Sequence, residues 1–113
     1  SNPMKLPENI LEIISDKKNE IYISWISFFE ISIKRSIGKL DLKHSTDEIY
    51  RTLADNGVKM LHFSPQQFAI YEQLPLHHRD PFDRILIAQA MAENMTIITK
   101  DANFSLYKAD ILF

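Results

Sequence analysis

The chain contains no cysteine. That excludes disulfides, thiolate zinc sites and a cysteine nucleophile, and it fits a reducing cytoplasm. It has two glycines, Gly38 and Gly57, which is too few for a glycine-rich phosphate-binding loop. No apolar run approaches the roughly 20 residues that span a bilayer, so no membrane association is expected. The first residues, Ser1-Asn2-Pro3-Met4, are not followed by the apolar stretch of a signal peptide. There is no excess of charge of one sign either: the formal net charge is -2. Composition therefore writes in no global attraction to nucleic acid, and any such contact needs a local basic patch.

What remains is an ordinary globular composition, 45% hydrophobic and 25% charged over 113 residues. That is enough for one core and one domain, residues 1–113. Helical spacing of Leu6, Ile10, Ile13 and Ile14 predicts a helix over Pro7 to Asp16. Glu20 to Ser24 reads as a strand, and Ile26 to Ile37 as a helix closed by Gly38. Ser45 or Thr46 opens a third helix, with Ile49 and Leu53 inward and Asn56-Gly57 at its end. Val58 to Phe63 is the next strand. Ser64-Pro65 caps and starts a helix to about Leu74. A loop then leads into a helix over Phe82 to Glu93, a strand over Thr96 to Thr99 and a last strand near Ile111 to Phe113. Strands alternating with helices predict an α/β fold with a mostly parallel sheet.

The chemistry concentrates in His77-His78-Arg79-Asp80-Pro81-Phe82-Asp83-Arg84, which runs into the apolar helix Ile85-Leu86-Ile87-Ala88-Gln89-Ala90. Acidic groups stand at this helix start and at Asp101, just past a strand. In a parallel α/β fold those places share the edge where sites form. Carboxylates that converge there repel one another unless a cation joins them. Each has a plainer reading. Asp80 is a good N-cap and Asp83 a good first-turn acid. Glu30 completes a Ser27-x-x-Glu30 capping box or pairs with Lys34. Asp101 suits a turn. His77 and His78 diverge as neighbours and lack the spacing of a zinc site. Trp25, Phe28 and Phe29 read as core or as a partner groove.

Together, Ile23 to Lys34, Gly38-Lys39-Leu40, Leu76 to Ala90 and Ile97 to Asp101 resemble the PIN-domain ribonucleases, specifically VapC-like toxins of toxin–antitoxin pairs. The resemblance implies a three-layer α/β/α fold and a metal-dependent endoribonuclease that hydrolyses RNA phosphodiesters. It assigns Glu30, Asp83 and Asp101 as catalytic ligands of Mg²⁺ or Mn²⁺, with Asp80, Thr99 and Ser27 supporting them. Lys34, Arg35, Arg79, Arg84 and Lys100 are the expected RNA contacts. A cognate antitoxin and a cytoplasmic homodimer are implied as well, and Trp25, Phe28 and Phe29 remain the candidates for a partner groove. The chain departs from the family at its start: the opening strand that ends in aspartate has no counterpart here. The expected fold is thus N-terminally truncated and lacks its first central strand. The competing expectation is a catalytically incomplete PIN-like module that binds protein.

Overall fold

A computed structural model describes residues 8–40, 43–76, 80–98 and 110–112. The elements run α1 (Glu8–Ser15), β1 (Tyr22–Ser24), α2 (Trp25–Ser36), α3 (Thr46–Asp55), β2 (Lys59–Leu61), α4 (Pro65–Gln73), α5 (Pro81–Glu93), β3 (Thr96–Ile98) and β4 (Asp110–Leu112). Every expected helix and strand is present, and most differ from expectation only at their ends. Among the described residues no helix is long and apolar enough to cross a membrane.

Among the described residues both strand pairs are parallel. Tyr22, Ile23 and Ser24 of β1 lie opposite Lys59, Met60 and Leu61 of β2. Thr96, Ile97 and Ile98 of β3 lie opposite Asp110, Ile111 and Leu112 of β4. Just before β1, Glu20 receives the Lys59 ammonium at 2.8 Å. That hydrogen bond and charge hold its carboxyl below the usual range and raise Lys59. The described residues form two separate two-stranded sheets, with no strand joining them.

The helix starts follow local side-chain chemistry. Ser64 and Gln67 form a full capping box on α4, with Pro65 in the first turn. Ser45 caps α3 by accepting from the Glu48 N–H. Asp80 caps α5 by accepting from the Phe82 N–H at 2.9 Å. For α2 the expected Ser27–Glu30 capping box is corrected. The cap is Ser24, at the very end of β1, whose Oγ accepts from the Ile26 N–H. Strand therefore passes into helix without a loop, and Ser27 and Glu30 both lie inside the helix.

Helices α3 and α2 are each followed by a glycine in the left-handed region, Gly57 at φ 84° and Gly38 at φ 73°. A Cβ at either would meet no atom within 4 Å, so the need for glycine is conformational, not steric. Gly57→Ala is expected to cost about 1–2 kcal/mol, the penalty for a left-handed residue carrying Cβ. A lower urea midpoint with an unchanged m-value is the result that would show it.

The core gathers on α5. Ile85, Ile87, Ala88 and Ala90 are buried, together with Phe28 from α2. Leu74, Leu86, Met91 and Ile97 pack around Ile87. Helix α5 touches α4, α2 and β3, while α2 also touches α3 and β1. The two helices expected to carry acidic residues, α2 and α5, are thus direct neighbours.

Candidate active site

Helices α2 and α5 run antiparallel along a shared seam. Ser24, the cap residue before α2, bonds to Gln89 of α5. Ile26 shares a pocket of about 280 Å³ with Phe82 and Ile85. Phe29 meets Phe82 edge-on, with ring centroids 6.0 Å apart. Positions rise along α2 as they fall along α5, which fixes the antiparallel sense.

That sense places the acids. Each further residue on an α-helix turns by about 100°. When two right-handed helices oppose one another, one step past a contact turns to the same side on both. Glu30 follows Phe29, and Asp83 follows Phe82. The two carboxylate-bearing residues therefore leave the seam on one side. Both are half-buried.

Glu30 holds the Lys34 ammonium at 3.3 Å, the helix pair expected from the sequence. Asp83 is the third residue of α5, in the first turn, where the exposed N–H groups of the helix favour a negative charge. Two carboxylates supply the hard oxygen donors that Mg²⁺ and Mn²⁺ prefer. The donor chemistry present thus fits such an ion. Among the described residues no three His, Cys, Asp or Glu side chains gather as a metal site. Asp101, Thr99, Arg79 and Lys100 lie outside the described residues, as do His77 and His78.

Two groups of expectations are corrected by burial. Arg84, an expected RNA contact, is 7% exposed. Its guanidinium donates to the carbonyls of Pro75 at 3.0 Å and Tyr71 at 3.3 Å, and more weakly to Leu74. It also lies 4.8 Å from the centre of the Tyr71 ring. It ties the end of α4 to α5, and a phosphate would have to displace those carbonyls. Phe28, an expected partner contact, is buried, packed between Trp25 and Tyr50. Its neighbours differ. Phe29 is 57% exposed, and Trp25 stacks on Tyr50 and donates its indole N–H to His62 Nδ1 at 2.9 Å.

Among the other cations, Arg35 donates to the His44 carbonyl at 2.8 Å. Lys34 remains half exposed beside Glu30. The apolar pocket is lined by Ile26, Pro81, Phe82 and Ile85 on the seam side and by Phe63, Phe68 and Tyr71 opposite. Phe63 and Phe68 stack in the open, each more than two-fifths exposed.

Sequence reasoning passed over three buried polar residues: Ser24, Gln67 and Gln89. Gln89 does carry a signal. It is the one amide inside the run Ile85 to Ala92, where an apolar residue would have been the plain choice. Its partners, distant in sequence, carry no comparable mark.

The comparisons with known proteins bear on the family and the fold. The PIN domain family matches residues 3–110. No curated protein matches the chain. Among solved structures, the chain is similar to VapBC2 from Rickettsia felis, crystallised bound to a DNA fragment from their promoter. The TM-score is 0.66 at 21% identity, covering 92% of this chain and 81% of that one. At that identity the likeness bears on the fold. The alternating parallel pairs, the α2–α5 seam and a family match over nearly the whole length lead to one assignment: the chain belongs to the PIN domain family.

Proposed function

We propose that this protein is the toxin of a toxin–antitoxin pair, a divalent-metal-dependent endoribonuclease that hydrolyses RNA phosphodiester bonds. What supports this reading is a chain of the PIN family whose α2 and α5 pack together, with Glu30 and Asp83 each one residue past the Phe29–Phe82 contact. Nucleases are the usual members of that family. The fold likeness to the Rickettsia VapBC2 complex supports an antitoxin as partner.

Glu30 and Asp83, with Asp101, would hold Mg²⁺ or Mn²⁺, which when bound supplies an activated water and neutralises charge on the phosphate. Asp80 fixes the start of α5 and so the place of Asp83. Thr99 and Ser27 would steady the ligands. Lys34 and Arg35 on α2, with Arg79 and Lys100, are the cations that would meet the RNA backbone. Lys34 neutralises Glu30 when no cation does, which lowers the cost of keeping two carboxylates close. A homodimer in the cytoplasm, with the antitoxin laid across the site, completes the proposal.

A thermal melt with added metal tests it. An ion bound only by the folded chain, at about 100 times its dissociation constant, adds about 2.7 kcal/mol of stability. For a domain of this size that raises Tm by roughly 10 °C. Millimolar Mn²⁺ or Mg²⁺ should produce such a rise, and calcium-free buffer with chelator should reverse it. An unmoved Tm would favour the second reading, a PIN-fold protein that binds a partner without catalysis. The open stack of Phe63 and Phe68 beside the apolar pocket is the observation on that side.

A further inference from the structure

A chain of buried hydrogen bonds crosses the molecule at the far end of the seam. Ser24 Oγ donates to Gln89 Oε1 at 2.6 Å. Gln89 Nε2 donates to Gln67 Oε1 at 3.1 Å. Gln67 Oε1 also accepts from the Ser64 N–H, while Gln67 Nε2 donates to the His62 carbonyl and to Glu93. Gln67 and Gln89 are 1% and 0% exposed, and no buried side-chain polar atom among the described residues lacks a partner.

The chain has one polarity. Turning the Gln89 amide over would face its oxygen with the Gln67 oxygen, and buried groups of like kind left facing one another are costly. The other seam contacts described are of another kind. Ile26, Phe29, Phe82 and Ile85 are apolar, and apolar contacts are non-directional. A single buried polar contact is the established way to fix register between helices.

The position of this contact relative to the acids is what gives it consequence. Glu30 stands six residues after Ser24, and Asp83 stands six before Gln89. On antiparallel helices those steps lead the same way, by about 9 Å along each axis. The two carboxylates therefore come level along the helix axes because Ser24 and Gln89 are level, while the side they share follows from the Phe29–Phe82 contact. A slip of one residue at the contact would move one acid about 1.5 Å past the other and turn it by about 100°.

We propose that the Ser24–Gln89–Gln67 hydrogen-bond chain is the positioning device of the metal site, setting the register of α2 against α5 so that Glu30 and Asp83 face one ion. This rests on the reading of Glu30 and Asp83 as metal ligands. Its roles are divided: Ser24 keys α2, Gln89 keys α5, and Gln67 holds the Gln89 amide in its one working orientation.

Titration calorimetry with Mn²⁺, at a temperature where every variant is fully folded by circular dichroism, tests it. A loss of stability alone would not alter affinity under those conditions. Gln89→Leu and Ser24→Ala are expected to bind Mn²⁺ roughly 10- to 100-fold more weakly, as for other residues that orient metal ligands. Ser24→Thr, which keeps the hydroxyl, should retain wild-type affinity. Wild-type affinity in Gln89→Leu overturns the proposal. Should Gln89→Leu fail to fold, the Ser24 pair decides: equal affinity in Ser24→Ala and Ser24→Thr overturns it as well. A wild-type chain that binds no more Mn²⁺ than Asp83→Asn would refute the metal-site reading itself, and the positioning role with it.

Discussion

Asp83→Asn is expected to abolish RNA cleavage while leaving the protein folded. The substitution keeps size and shape and removes one negative oxygen from the side of the seam where Glu30 also stands. A ligand lost from a site that acts by charge should cost roughly three orders of magnitude in rate, about 4 kcal/mol at the transition state. Stability should move far less. Asp83 favours the first turn of α5 by only about 0.3–1 kcal/mol through the helix dipole. Cleavage of a single-stranded RNA with Mn²⁺ present, followed beside a melt in chelator, separates the two effects. Cleavage at the wild-type rate in Asp83→Asn would remove this residue from the site.

Arg84→Met should do the reverse. Sequence placed Arg84 next to the acids and suggested a phosphate contact, but the folded chain buries it. Its guanidinium bonds the Pro75 carbonyl just past α4 and shares the Tyr71 carbonyl with the Leu74 N–H. Charge-assisted bonds of this kind contribute about 1.5–3 kcal/mol, and the stacking of the guanidinium on Tyr71 is lost with them. A loss of about 3 kcal/mol is expected, or roughly 12 °C in Tm. Wild-type stability in Arg84→Met, with weakened RNA binding and a shallower salt dependence, would instead restore the phosphate role.

Much of the architecture was legible because it is written locally. Ser45, Ser64-Pro65 and Asp80-Pro81 announce three helix starts through cap chemistry alone. Gly38 and Gly57 announce two ends. The start of α2 was misread because two serines, Ser24 and Ser27, offer the same cap chemistry, and only the end of β1 chooses between them. Arg84 and Phe28 were misassigned for a different reason. A sequence shows which residues neighbour the acids along the chain, but not which way the helix turns them. On α5 one step separates half-buried Asp83 from buried Arg84. The pairing of α2 with α5 was legible only through resemblance, since nothing local joins Glu30 to Asp83. The Gln89 contact was not legible at all, because a lone amide does not declare its partner.

The long stretch of chain between α2 and α5 has a consequence for synthesis. One carboxylate-bearing helix is made early and the other late, with α3, β2 and α4 translated between them. A growing chain emerges from the ribosome in order, so the two helices cannot meet until α5 has cleared it. Any reactivity that needs both acids is withheld from the ribosome's own surroundings through most of translation. A polypeptide that endangers RNA would in this way be harmless while it is being made.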